Sequence, residues 1–234
     1  MNDLSPIEPV APHLLRSLRK HVHASLRRAI VAGQFRNGKR LNERVLADRL
    51  GVSTTPVKDA IRMLESEGLV RTEARRGVFV EFSARQALEM ALARAALESV
   101  MSHVAANRID PAGISEVGRL IEEMAHATAH SDLEELVALN EAYHGLIHRI
   151  SGCAYLERRL DGQRMYDHAQ RIALLSEPAE RRQGFDEHEG IYRALAAHDA
   201  AGAESSMRRH IVRSAKAHVR QVFGADAEGI DYDV

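Results

Sequence analysis

Apolar residues recur at helical spacing along most of the chain, and one stretch breaks that rhythm in an informative way. Leu14, Leu15, Leu18, Val22, Leu26, Ile30 and Val31 form a stripe that ends at Gly33, and Asn37-Gly38 follows as a turn signal. Leu46, Ala47 and Leu50 predict a short helix closed by Gly51, where a left-handed residue is needed. Ser53 then reads as an N-cap, with Pro56 in the first turn of a helix whose face is Val57, Ala60, Ile61 and Leu64. After Gly68 the period changes to two. Leu69–Thr72 and Val78–Phe82 read as strands around Glu73-Ala74-Arg75-Arg76-Gly77, a hairpin with a basic tip. From Ser83, an N-cap with Gln86 three residues on, the sequence is helical throughout.

The stripes in this second part predict six helices. The first carries Leu88, Leu92, Ala95, Val100 and Val104 and stops before Asp110-Pro111. The second carries Ile114, Val117, Leu120, Ile121 and Met124. The third starts after a cap at Ser131 and runs through Leu133, Leu136, Val137, Leu139, Leu146 and Ile147 to Ser151-Gly152. The rest cover about 155–175, 180–197 and 200–223. The fold class is therefore mostly α: an N-terminal winged helix-turn-helix and a C-terminal antiparallel all-α bundle. Its parts are a disordered arm at 1–12, the winged unit at 13–82, the bundle at 83–223 and an acidic tail at 224–234.

Composition sharpens this division. The net charge of −1 conceals two halves of opposite sign. Residues 13–82 carry 15 Lys and Arg against 7 Asp and Glu, whereas residues 83–234 carry 17 against 24. Only the first half suits a polyanion. A helix-turn-helix presents the N-terminal end of its second helix to the DNA major groove. Here that end offers Ser53, Thr54, Thr55 and Lys58, short or cationic donors suited to phosphates and base edges. The single cysteine, Cys153, excludes an intrachain disulfide and fits a reducing cytoplasm. No apolar run approaches the ~20 residues that span a bilayer.

The stretch LNERVLADRLGVSTTPVKDAIRMLESEGLV, followed by RRGVFV, resembles the winged helix-turn-helix of the GntR family of bacterial transcription regulators. The resemblance implies DNA contacts from Arg44, Ser53, Thr54, Thr55, Lys58, Arg76 and Gly77, on a two-fold symmetric operator bound by a homodimer. Two positions depart from the family: Thr54 and Lys58 stand where it usually has Arg. Arg grips guanine with two hydrogen bonds, which neither replacement does, so a different operator is expected.

ARAALESVMSHVAA, NEAYHGLIHRISG and EHEGIYRALAAHDAAGAESSMRRHI resemble the effector-binding FCD domain of the subfamily named after FadR. That resemblance implies a helical bundle around a cavity with a divalent metal, Zn, Ni or Mn, at its base. By position the ligands are Asn140, His144, His188 and His210. Without the resemblance, such histidines read as ordinary surface or core residues. Asn140 departs from the usual Asp and leaves a set of neutral ligands. His148, one further turn along, is an alternative ligand. Arg94, in the family's R-x-x-L-E, is implied to point into the cavity and hold a small carboxylate effector; Tyr143, at the family's Phe position, either offers a hydroxyl near the metal or belongs to the core. The simpler reading of Arg94 is an i, i+4 pair with Glu98.

Three functions follow. The leading one is a DNA-binding regulator, a repressor, controlled by a small carboxylate. A metal-responsive regulator without organic effector is the second. A mononuclear metal enzyme using Glu141 or Glu189 as base is the third, and it is disfavoured because each glutamate neighbours a ligand and points some 100° away from it.

Overall fold

The computed structural model describes residues 12–160, 171–172, 174–227 and 229–230. The expected disordered arm lies outside the described residues except for Pro12, as do residues 161–170 and 173 of the predicted fourth bundle helix and residues 228 and 231–234 of the acidic tail. The chain divides into two compact units between Phe82 and Ser83.

In the first unit α1 (Pro12–Val31) packs on α3 (Thr54–Ser66), and α2 (Glu43–Leu50) completes the helical layer. The periodic residues account for the packing: Val22, Leu26, Ile30 and Val31 of α1 and Val57, Ala60, Ile61 and Leu64 of α3 are all buried. Asn42 caps α2 by accepting from Arg44 N at 3.0 Å and Val45 N at 3.2 Å. Gly51 ends it at φ +65°, a conformation that costs other residues energy. Ser53 occupies the N-cap position of α3 in extended conformation, but its side chain makes no capping hydrogen bond. Arg27, 2% exposed, is held by Glu67 at 2.8 Å.

Strands β2 (Val70–Glu73) and β3 (Gly77–Val80) form the expected hairpin. The sequence did not predict β1 (Arg40–Leu41), which pairs antiparallel with the other side of β3 and gives the order β1-β3-β2. Two residues carry no readable period. Gly77 sits at φ +111°, and a Cβ there would stand 2.9 Å from Arg40 Nε, so glycine is required where β1 crosses the wing.

The second unit consists of α4 (Ala84–Arg108), α5 (Pro111–His130), α6 (Leu133–Ser151), α7 (Ala154–Leu160), α8 (Pro178–Ala196) and α9 (Ala200–Phe223), all of them helices. α4 packs along α9, and α6 lies against both α4 and α5. Val117, Leu120, Ile121, Met124, Leu139, Leu146, Ile147, Ile191, Leu195, Met207 and Ile211 join in one core. Ser83, Asp110, Asp132 and Asp199 each accept a backbone N–H at the start of a helix. The predicted cap at Ser131 moves by one residue. Ser131 instead ends α5 in the left-handed region at φ +59°, and Asp132 caps α6. Asp226, expected in a disordered tail, lies in a 3₁₀ turn at Gly224–Ala227. Among the described residues, no helix is long and apolar enough to cross a membrane.

Candidate functional site

The polar end of α3 stands in solvent. Ser53, Thr54, Thr55 and Lys58 are exposed, and so is Arg44 on α2. Lys58 Nζ lies 3.9 Å from Glu43, a loose surface pair of little energetic weight. At the wing, Arg71 and Arg76 flank the Phe79 ring at 5.3 and 5.8 Å, and both pair with Glu73. Arg76 is exposed and Gly77 is half-buried beneath it. Stacking and pairing thus hold the wing arginines on a rigid hairpin. Short donors at a helix N-terminus beside an arginine-bearing wing can reach phosphates and base edges.

Inside the bundle, His144 of α6, His188 of α8 and His210 of α9 bring ligating atoms within 4.8 Å of one another. His144 Nε2 lies 3.2 Å from His188 Nε2, close to the ~3.3 Å that two imidazoles on a tetrahedral zinc would show with Zn–N bonds of about 2.0–2.1 Å. The outward nitrogens are already tied. Nδ1 of His144 donates to Glu98 at 2.8 Å and Nδ1 of His210 to Glu187 at 2.7 Å, which leaves both Nε2 lone pairs facing inward. Burial pushes His144 down to about 3 despite its Glu98 partner, and pushes His188 well below the ordinary range. Both rings are neutral, as ligands must be. Burial alone would raise the Glu98 carboxyl, but Arg94 and His144 outweigh it and hold it well below the usual range.

Asn140 Nδ2 lies 3.4 Å from His188 Nε2, while its buried Oδ1 has no hydrogen-bond partner. Turning the amide over would aim that oxygen at the three imidazoles. An orphaned acceptor beside three inward lone pairs fits a divalent cation. His148 lies off this group, on the other side of Glu98.

Two sequence expectations change here. Tyr143 does not line the cavity. It is fully buried and its hydroxyl donates to the His188 carbonyl at 2.9 Å, so it positions a histidine. Arg94 does line the cavity, but its Nε donates to Glu98 at 2.6 Å, the i, i+4 pair of the simpler reading. Arg94 also has company: Arg171, Arg181 and Arg213 line the same cavity of about 50 Å³, with Met124, Leu136, Leu174 and Phe185 on its apolar side. Arg213 is held by Glu180 and Glu187. Sequence reading missed Glu187 and these three arginines. Only the doublet Glu187-His188 hinted at a carboxylate near the ligands, and it serves His210 rather than its neighbour. The bases considered for an enzyme face elsewhere: Glu189 pairs with Arg193 at 2.9 Å and Glu141 is half exposed.

Residues 84–213 match the FCD domain, and residues 18–80 match the bacterial regulatory proteins of the gntR family. The chain is 26% identical over 189 residues to the HTH-type transcriptional regulator McbR of Escherichia coli, covering 80% of this chain and 86% of that one. It is 24% identical over 229 residues to the E. coli repressor RspR, covering 94% and 92%. The solved structure of E. coli McbR/YncC superposes with a TM-score of 0.62 at 25% identity, over 88% of this chain and 99% of that one. With a winged reading head, an all-helical FCD domain and relatives that are transcriptional regulators rather than enzymes, the chain belongs to the GntR family of DNA-binding transcription regulators, in its FadR-type, FCD-containing subfamily.

Proposed function

We propose that this regulator is a cytoplasmic homodimeric repressor that binds a two-fold symmetric operator and is controlled by a small carboxylate held in the bundle cavity. Arg44, Ser53, Thr54, Thr55 and Lys58 meet the major groove, and Arg76 and Gly77 meet the adjoining backbone. His144, His188 and His210, completed by Asn140, hold one divalent ion, and that ion supplies a positive charge at the cavity floor. The effector's carboxylate lies between this floor and the arginine wall that includes Arg94, while Met124, Leu136 and Phe185 receive its apolar part. The observation that carries this reading is the convergence of three imidazoles, two anchored by carboxylates, on a cavity lined with arginines.

Metal analysis of tag-free protein, with operator selection from random duplexes, tests both halves. One zinc, nickel or manganese per chain and a palindromic selected sequence are expected. A monomer that binds every duplex alike, or a chain that takes up no metal after dialysis against zinc and nickel, contradicts the reading. The neutral ligand set favours a second possibility, response to the metal alone, because an amide holds an ion less firmly than a carboxylate. Asn140→Asp is expected to tighten metal binding, and release of DNA by metal without any organic acid would favour this second possibility.

A further inference from the structure

A second group of ligating atoms lies on the far side of the His144 ring. His148 stands one turn after His144 on α6, and its Nε2 is 3.3 Å from Glu98 Oε2. The same oxygen receives His144 Nδ1 at 2.8 Å, and ligating atoms of all three residues lie within 4.8 Å of one another. All three are buried, at 2% exposure for Glu98, 2% for His144 and 8% for His148. His148 Nε2 is enclosed, and its polar contact is the Glu98 oxygen it shares with His144. The group opens on its own cavity of about 120 Å³, which Glu141 and Leu160 also line. His188 and His210 are not part of that cavity, and Arg171 borders both.

We propose that Glu98, His144 and His148 form a second divalent-cation site, separate from the three-histidine group. Two imidazoles and one carboxylate, with further positions open to a cavity, suit Fe(II), Mn(II) or Zn(II). The chemistry differs from that of the first group, which has no anionic ligand. Glu98 supplies the missing carboxylate through Oε2, because Arg94 occupies the other oxygen, Oε1. His148 Nε2 and Glu98 Oε2, already in contact, would meet on a common ion. Arg94 and Arg171 are cations nearby and weaken the site, while the Glu141 carboxylate on the cavity wall offsets part of their charge. His144 belongs to both groups, through Nε2 in the first and Nδ1 in the second. With both ions bound, the Nδ1 proton that His144 now gives Glu98 leaves to solvent and the ring bridges the two ions as an imidazolate, so the second ion binds more weakly, its binding falls with acid, and it disturbs the contact that orients His144.

Equilibrium dialysis of the metal-stripped full chain against Co(II), with Co(II) absorption as a second readout, tests the site. Wild type is expected to saturate at two ions per chain, with the weaker step at least tenfold above the tighter one. His148→Gln, which keeps bulk but removes the imidazole, is expected to abolish the weaker step and leave one ion. His188→Ala is expected to abolish the tighter step and leave the other. Wild type that saturates at one ion, or a second ion that survives His148→Gln, overturns the proposal. The two readings fail separately. Loss of an ion in His188→Ala with none lost in His148→Gln removes the second site and keeps the first, and the reverse result does the opposite. Should His148→Gln fail to fold, anomalous scattering from wild-type crystals soaked in zinc decides: a peak bridging His148 Nε2 and Glu98 Oε2 supports the site, and no peak there overturns it.

Discussion

The reading head of α3 and the interior of the bundle use polar residues in opposite ways. Ser53, Thr54, Thr55 and Lys58 stand in water and touch little of their own chain. Glu98, His144, His188 and His210 are buried, and each is held by another polar group. An exposed polar side chain that makes no hydrogen bond within its own chain is free to serve a partner, and replacing it leaves the fold nearly unaffected. A buried one serves structure and ligand together, so its replacement is felt in both. The exposed end of α3 can therefore be altered with few side effects on the fold. The interior changes only with compensation.

The largest expected effect sets the scale for the core beneath the reading head. Leu64→Ala, at a position with no exposure, is expected to cost about 2–5 kcal/mol in denaturant unfolding. A loss below 1 kcal/mol would show that the α1–α3 contact does not support α3.

Acid sharpens the comparison next. His144 and His188 are pushed down by burial, and His218 falls to about 4 for the same reason. The unfolded chain takes up protons near the ordinary histidine range while the folded chain resists. Stability of the metal-free protein therefore falls as pH drops below about 6.5, by up to about 1.4 kcal/mol per pH unit for each such ring. Below the ordinary glutamate range the depressed Glu98 adds a loss of the same sign. Hydrogen exchange on the full chain is expected to show the bundle opening between pH 6.5 and 4. Equal loss of protection in α1–α3 over that interval would contradict the contrast.

Surface substitutions come third. Arg44→Ala and Lys58→Ala are each expected to weaken operator binding by about 1–3 kcal/mol while moving unfolding by no more than about 0.5 kcal/mol. An equal shift in both quantities would mean that these residues hold the fold rather than the DNA.

The smallest effect separates two caps. Asn42→Ala is expected to cost about 1 kcal/mol, because it removes two hydrogen bonds to the start of α2. Ser53→Ala, at an N-cap without a side-chain bond, is expected to cost only a few tenths of that in stability. A full loss at Ser53 would place it in the fold and not at the DNA.

These contrasts also explain what was legible in the sequence. The faces of α1 and α3 could be read because the helical period puts Val57, Ala60, Ile61 and Leu64 on one side, and packing then has one solution. Gly51 and the hairpin were legible through local backbone chemistry. β1 was not, since it pairs with a strand nearly forty residues away and has no period of its own. The cap at Ser131 was misplaced because Ser and Asp stand side by side and either can cap; the left-handed backbone at Ser131 decides. Within the bundle the histidines could be nominated, but not what anchors them. Glu98 Oε2 meets His144 from 46 positions away, and Glu187 turns from its neighbour to His210. Tyr143 stands at the family's Phe position, which does not say whether its hydroxyl meets the cavity or the core; full burial and the His188 carbonyl draw it into the core.

The central claim, that the bundle cavity controls the winged unit, is tested most directly by one titration. Metal-loaded protein is bound to its selected operator, small carboxylic acids are added, and fluorescence anisotropy is followed for wild type and Arg94→Ala. Wild type is expected to change its operator affinity by roughly 5–150-fold, equivalent to about 1–3 kcal/mol of coupling. Arg94→Ala is expected to lose stability with its Glu98 partner and, at a temperature where it is folded, to bind the operator as tightly as wild type and to ignore the acid. An Arg94→Ala protein that responds as wild type does, or that no longer binds the operator at all, would contradict the claim.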